Sequence, residues 1–319
     1  MTLRAVVIGG GLGGTAAAVA LTQAGLDVRV YQQAARLAEV GAGVSLAPNG
    51  LRMLQRLDVG DAVARLGARH VATQLRLSDG RAADHQPHQF ARAGANVGIH
   101  RADLLALLVE QLPPGTVRTG HRCTGFRQDA GQAVVSFANG ASDMADVVIG
   151  ADGIHSVMQG FVVEPADPVF SRVLAYRGLV PSVEGYPAGT LRMWVGEGKH
   201  FLAFPVRAGR LLTYVGFVTS ATAVHESWSA RGDPAALTAH FQGWDPLIGE
   251  IIGRKVRLID SAEETALDTQ RMLAEHSLDA QSGEGRYRFV ASDDQQQFLA
   301  LGQRFFGDTI DRVEIRTFG

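Results

Sequence analysis

Gly9, Gly11 and Gly14 stand in G-x-G-x-x-G spacing directly behind the apolar run Val6-Val7-Ile8. Such glycines between a strand and a helix suit one kind of chemistry. The first permits a tight turn, the second lets phosphate approach the backbone, and the third lets the helix pack on the sheet. The helix N-terminus then offers N–H groups and a dipole that favour an anion. Gly9, Gly11 and Gly14, with Leu12 and Gly13 between them, form the candidate cradle for a dinucleotide pyrophosphate. Other residues could do chemistry farther along. Arg101 follows a strand-like segment at the mouth of a helix, and an ion pair with Asp103 is one reading of it. Asp152-Gly153 follows Val147-Val148-Ile149-Gly150. His200 is the nearest candidate for a base working near neutral pH, and a structural or solvated histidine is the alternative reading.

These residues need a frame. Strand Arg4–Ile8, a helix over 15–24 and a strand over 28–31 make a βαβ unit, with Gly25 at the helix C-cap. A second glycine-rich stretch, Glu39 to Asn49, reads as a loop and carries Val44. Helices are expected over 50–57 and 101–112, the latter ended by Pro113-Pro114. Strands are expected over 73–77, 134–137 and 144–149. Residues 173–218 are β-rich and read as a separate antiparallel sheet. A helix over 234–242 follows, with Asp233 as N-cap and Pro234 at its first position. Beyond Trp244 the pattern changes to an α/β tail with strands over 256–259, 287–290 and 313–315.

Composition narrows the function classes. The chain has 319 residues, 46% hydrophobic and 19% charged, enough for two ordinary globular domains. Its formal net charge of −2 gives no electrostatic case for nucleic acid or anionic lipid. Cys123 is the single cysteine, so neither an internal disulfide nor a cysteine-rich zinc site can form, and no metal is expected. No apolar run reaches the roughly 18 residues of a membrane span. Met1 leads straight into the first strand, so no signal peptide and a cytoplasmic location are expected.

Four ordered motifs carry a family resemblance. They are the glycine loop; Gly98-Ile99-His100-Arg101-Ala102-Asp103-Leu104; Val148-Ile149-Gly150-Ala151-Asp152-Gly153-Ile154-His155-Ser156; and Ala175-Tyr176-Arg177-Gly178-Leu179-Val180-Pro181 followed by Met193 to His200. Glu226-Ser227-Trp228 and the stretch from Gly232-Asp233 to Gly243-Trp244 fit the same pattern. Over residues 1–245 the chain resembles the flavin-dependent aromatic hydroxylases, single-component enzymes that include salicylate and 3-hydroxybenzoate hydroxylases. The resemblance implies FAD as cofactor, NADH or NADPH as reductant, and O2 and a small aromatic compound as substrates. It places the FAD pyrophosphate at Gly9, Gly11 and Gly14, and Arg101 over the phosphates or the flavin edge. Asp152 and Gly153 match the family's second dinucleotide motif, a plain N-cap being the alternative for Asp152. Val44 would lie near the flavin ring, with ordinary core as its alternative.

Two departures stand out. About 20 residues past the glycine loop an acidic residue should bind the adenosine ribose, and Gln32 occupies that position. An amide still hydrogen-bonds, without the charge assistance that roughly doubles such a contact. The family's Gly-Asp motif after the substrate sheet has no match between Gly243 and Gly319, since Gly307-Asp308-Thr309 stands too near the end. The tail, residues 246–319, instead resembles the C-terminal end of glutamate racemases, through Val256 to Ala266, Phe289 to Asp294 and Arg304 to Gly307. Those enzymes use two cysteines, and this tail contains none, which argues against racemase chemistry.

The expected fold is α/β: a Rossmann-like FAD-binding domain (1–165, with 70–97 contributing to the next sheet), an antiparallel substrate sheet (166–245), and a racemase-like α/β tail (246–319). The expected function is FAD- and NAD(P)H-dependent hydroxylation of an aromatic ring, impaired by the missing Gly-Asp motif. The alternatives are a weak nucleotide-binding, non-enzymatic remnant of a gene fusion and a glutamate racemase fragment.

Overall fold

A computed structural model describes residues 2–37, 42–83, 96–129, 131–153, 156–163, 171–220, 233–253, 259–260, 289–291, 296, 299 and 313–315. It forms two compact units, Met1–Leu278 and Asp279–Gly319.

The first unit opens with strand Arg4–Ile8 (β1), helix Leu12–Gln23 (α1) and strand Asp27–Tyr31 (β2). Ala5 and Val7 of β1 are buried with the inner side of α1, so the βαβ unit has its own apolar core around Val7, Val19 and Val30, while Val6 and Ile8 are buried on the sheet's other face. The helix begins three residues before the expected Thr15, because Leu12, Gly13 and Gly14 already belong to its first turn. Next come strand Gly43–Leu46 (β3), helix Pro48–Arg56 (α2), helix Gly60–Leu66 (α3), strand Ala68–His70 (β4) and strand Ala72–Leu77 (β5). The expected loop over 39–49 thus contains a strand. It is formed because β3 pairs antiparallel with strand Asn96–His100 (β6), Val44 lying opposite Ile99.

Helix Arg101–Glu110 (α4) leaves β6 directly, two residues shorter than expected. A short strand Val117–Arg118 (β7) joins β2 in parallel. Strands Cys123–Asp129 (β8), Gln132–Phe137 (β9) and Ser142–Ala145 (β10) form an antiparallel meander. Strand Val147–Gly150 (β11) pairs parallel with β1, giving a four-stranded sheet of order β11-β1-β2-β7. The single strand expected over 144–149 is therefore two strands in different sheets. Asp146 makes the break: its carboxylate accepts the Arg4 N–H (2.8 Å) and its N–H donates to Arg4 O (3.0 Å).

The larger sheet is built from Val173–Pro181 (β12), Thr190–Gly196 (β13), Lys199–Val206 (β14) and Leu211–Thr219 (β15). It is antiparallel except at one edge, where β5 pairs in parallel with β13. One face is closed by helices Pro234–His240 (α5) and Pro246–Ile252 (α6). Asp233 caps α5 as expected, its carboxylate accepting Ala235 N–H. The core under these helices joins Trp194, Phe201 and Tyr214 of the sheet to Leu237, Ile248 and Ile251. The boundary expected at 245/246 consequently falls inside this unit, because the isoleucines of α6 complete the sheet's core. Strand Ile259–Asp260 (β16) adds to β12.

In the second unit, Phe289–Ala291 (β17) and Val313–Ile315 (β18) pair in parallel. The other tail motifs, and Glu226-Ser227-Trp228, lie outside the described residues. Among the described residues no helix is long and apolar enough to cross a membrane.

Candidate functional site

The glycine turn is tightly built on one side and open on the other. Gly9 has φ +108°, and a Cβ there would stand 2.1 Å from the carbonyl oxygen of Ala151. A Cβ on Gly14 would stand 1.9 Å from the carbonyl oxygen of Gly9. Gly9 N–H donates to Tyr31 O (2.8 Å), and Ala151 N–H donates to Ile8 O (2.7 Å), so the turn is wedged between the ends of β2 and β11. Positions 11 and 13 differ: a Cβ at either would meet nothing within 4 Å. Gly11 is the N-cap of α1, no side chain caps the helix, and its first turn carries no acidic residue. Open space over an uncapped, uncharged helix N-terminus fits the pyrophosphate of a dinucleotide. Within this site, the residues Gly9 to Gly14 therefore come together as the sequence suggests.

Gln32 follows β2 and turns its side chain into the same turn. Its Oε1 accepts the Gly10 N–H at 3.0 Å, leaving the two Nε2 hydrogens as donors. Its backbone is fixed on both sides by Arg118 O and His121 N–H. The residue before it is anchored too. The Tyr31 hydroxyl donates to Asp143 (2.8 Å), whose carboxylate also takes the Arg29 guanidinium. These donors hold the Asp143 carboxyl below the usual carboxylate range despite partial burial.

Asp152 stands beside the turn, its backbone nitrogen 2.8 Å from where a Gly9 Cβ would be. Its carboxylate, however, accepts Ser156 Oγ–H (2.6 Å) and Met158 N–H (3.2 Å). The carboxylate thus ties the start of the 3-10 turn Met158–Phe161 back to the end of β11, while the N-cap position itself is Val157. Gly153 has φ +81°, a conformation that favours glycine, and a Cβ there would meet nothing within 4 Å among the described residues.

A second cluster surrounds the start of β3. Arg101, half-buried at the first position of α4, donates its backbone N–H to Ala42 O (3.3 Å), and burial lowers its pKa without bringing an arginine near neutrality. Asp103, two residues along, is gripped by Arg207 through Nε (2.9 Å) and Nη2 (2.8 Å), which holds its carboxyl low. Gly43 N–H donates to Thr213 Oγ1 (2.9 Å), and a Cβ on Gly43 would stand 2.6 Å from both Thr213 Cγ2 and Val206 Cγ1. Val44 packs with Leu51, Leu54 and Ile99, so its surroundings are the core alternative. The sequence did not mark Thr213. The available signal was an aliphatic hydroxyl beside a tyrosine within the otherwise apolar run Leu211–Val218.

His200 lies on β14, on the sheet face that also carries Phe204 and Thr213. Its ring stacks on Phe217 (4.2 Å between centroids, 21° between planes), and burial lowers its pKa, so it is neutral at pH 7. The same face presents Leu75, Met193, Val195 and Leu202, all half-buried. Arg177 of β12 stands opposite Val215 on this face, so the face is apolar apart from Thr213, Arg177 and the stacked imidazole of His200. Cys123 is buried and its thiol is pushed up, which removes it from nucleophilic roles. Among the described residues no group of three potential metal ligands occurs.

Comparison with known proteins agrees with this geometry. Residues 2–168 match the family model described as FAD binding domain. The chain is 36% identical over 260 residues to the 3-amino-4-hydroxybenzoate 2-monooxygenase PtmB3 of Streptomyces platensis, covering 78% of this chain and 65% of that protein. It is 30% identical to the 6-hydroxynicotinate 3-monooxygenase of Pseudomonas fluorescens, covering 80% of this chain and 69% of that protein. The crystal structure of Klebsiella pneumoniae HpxO complexed with FAD and uric acid superposes with a TM-score of 0.68 at 28% identity, covering 81% of this chain and 67% of that one. The chain spans 65% of the length of the Streptomyces relative. With its glycine turn, its Rossmann-like sheet and these relatives together, this chain belongs to the FAD-binding-domain family of flavin-dependent aromatic hydroxylases.

Proposed function

We propose that this chain binds FAD and hydroxylates a small aromatic compound, using NADH or NADPH and O2. One observation carries the reading: Gly9 and Gly14 have no room for a side chain, while Gly11 and Gly13 face open space at an uncapped helix start. Bound FAD would supply the redox chemistry that activates dioxygen. The chain's own residues would do the rest. Gly11 to Gly14 hold the pyrophosphate with backbone N–H groups, and Gln32 donates from Nε2 toward the ribose. Arg101 supplies fixed positive charge near the start of β3. The half-buried sheet face of Leu75, Met193, Val195 and Leu202 excludes water and takes a planar apolar ring. His200, neutral and stacked on Phe217, is placed to accept a phenolic proton at one of its ring nitrogens.

Gln32 in place of a carboxylate supports a weaker hold on FAD, and the lack of a Gly-Asp match between Gly243 and Gly319 supports impaired turnover. Recombinant full-length chain is reconstituted with FAD, and NADPH and NADH oxidation are followed with and without phenolic acids. Flavin retention with substrate-stimulated oxidation and a hydroxylated product supports the reading. Flavin retention without stimulation reduces the chain to a nucleotide-binding remnant, and a colourless protein that takes up no FAD overturns both.

A further inference from the structure

One peptide unit is held from both ends. The Ala42 carbonyl accepts the backbone N–H of Arg101, the first residue of α4 (3.3 Å). The N–H of the same peptide, on Gly43, donates to Thr213 Oγ1 of β15 (2.9 Å). Thr213 is fully buried, and its hydroxyl proton goes to Gly178 O on β12 (3.2 Å). The hydroxyl is therefore saturated in a defined direction: its proton is committed to the sheet, and a lone pair is left for Gly43. The fit leaves no slack. A Cβ at position 43 would stand 2.6 Å from Thr213 Cγ2 and 3.1 Å from Phe204 Cε2.

We infer that Thr213 is a positioning residue that locks the Ala42–Gly43 peptide plane and thereby fixes the start of β3 and, through Ala42 O, the backbone of Arg101, which the proposed function sets toward FAD. The inference rests on the flavin reading above. The peptide's two anchors come from opposite sides, the start of α4 and the six-stranded sheet, and they are 112 residues apart in sequence (213 − 101). Without the hydroxyl, the partly buried Gly43 N–H loses its acceptor and Gly178 O loses one donor, and the peptide can rotate toward any acceptor it finds. A glycine at 43 offers no side-chain resistance to that rotation. The segment that follows carries Val44, and the segment that anchors it carries Arg101, so a flipped peptide disturbs both at once. Thr213 acts through this peptide and not by touching the cofactor.

The test compares the full chain with Thr213→Val, which keeps the shape and removes the hydroxyl, and Thr213→Ser, which keeps the hydroxyl. Ile251→Val, in the core on the sheet's other face, serves as a stability-matched control. FAD dissociation constants come from quenching of flavin fluorescence, stabilities from urea melts, and the Gly43 amide from hydrogen exchange on cofactor-free protein. Expected are a protected Gly43 amide in the wild type, its loss in Thr213→Val with FAD binding weakened about tenfold, rescue of both by Thr213→Ser, and unchanged FAD affinity in Ile251→Val. Unweakened FAD binding in Thr213→Val overturns the inference, as does failure of Thr213→Ser to rescue. If Thr213→Val does not fold, an unprotected Gly43 amide in the wild type overturns the inference, and protection retained in Thr213→Ser upholds it. Wild type that binds no FAD overturns the flavin reading instead, and the exchange data still decide whether the peptide is locked.

Discussion

Gln32 Oε1 accepts the backbone N–H of Gly10 at 3.0 Å, tying the end of β2 to the glycine turn. A carboxylate at this position would accept the same N–H with charge assistance and still have lone pairs for ribose hydroxyls. The amide gives one acceptor to the turn and can only donate beyond it. Gln32→Glu is therefore expected to tighten FAD binding about tenfold, measured by fluorescence titration of cofactor-free protein.

The two classes of glycine separate folding from binding. Gly14→Ala forces a Cβ to 1.9 Å from Gly9 O, so it should destabilise the chain by about 3 kcal/mol in urea melts. Gly11→Ala meets nothing within 4 Å and should stay within about 1 kcal/mol of wild type. Its methyl group still occupies the space where the pyrophosphate approaches, so FAD affinity falls at least about tenfold.

Asp245 holds a corner far from the glycine turn. One oxygen accepts the buried Trp194 indole N–H (2.8 Å), and the other caps α6 through Leu247 N–H (3.1 Å). Asp245→Ala removes the cap and strands the indole N–H, for a loss of about 2–4 kcal/mol in urea melts. FAD affinity of the folded fraction should not change.

Among the described residues, two histidines with lowered pKa values contribute to the pH dependence near neutrality. Burial lowers the pKa of His70, whose Nε2 faces Pro205 O (3.4 Å), and of His200. Their unfolded pKa is about 6.5, so below that pH the unfolded chain binds protons that the native state resists. Stability contributed by the neutral rings is fully present above this range and falls as pH drops through it. The urea midpoint should decline between pH 7.5 and 5.5, and His70→Gln should flatten the decline. Asp103 and Asp143 have lowered pKa values and lose their contribution only in more acidic solution, outside this window.

The cofactor turn was legible in the sequence because its signal is local. An apolar strand, three spaced glycines and an apolar helix lie within residues 4–23. The start of β3 was not, because Gly43 looks like a turn residue and is small for another reason: β14 and β15 press against it from more than 160 residues away. The break at Asp146 was hidden inside an apolar run, since a change of sheet leaves hydrophobicity unaltered. Resemblance of the tail to another family drew the boundary to 245. The spacing of Ile248, Ile251 and Ile252, one buried helical stripe, is what places that helix with the sheet. Asp152 binds Ser156 Oγ and Met158 N–H, local contacts that its place after an apolar strand does not reveal.

The central claim is that the glycine turn seats FAD in this chain as it stands. Isothermal titration of cofactor-free, full-length protein with FAD, repeated on Gly11→Ala, tests it most directly. One saturable FAD site per chain, weakened at least about tenfold by Gly11→Ala, is the predicted result. No saturable FAD binding by folded wild-type protein, or equal binding by the two, would contradict it.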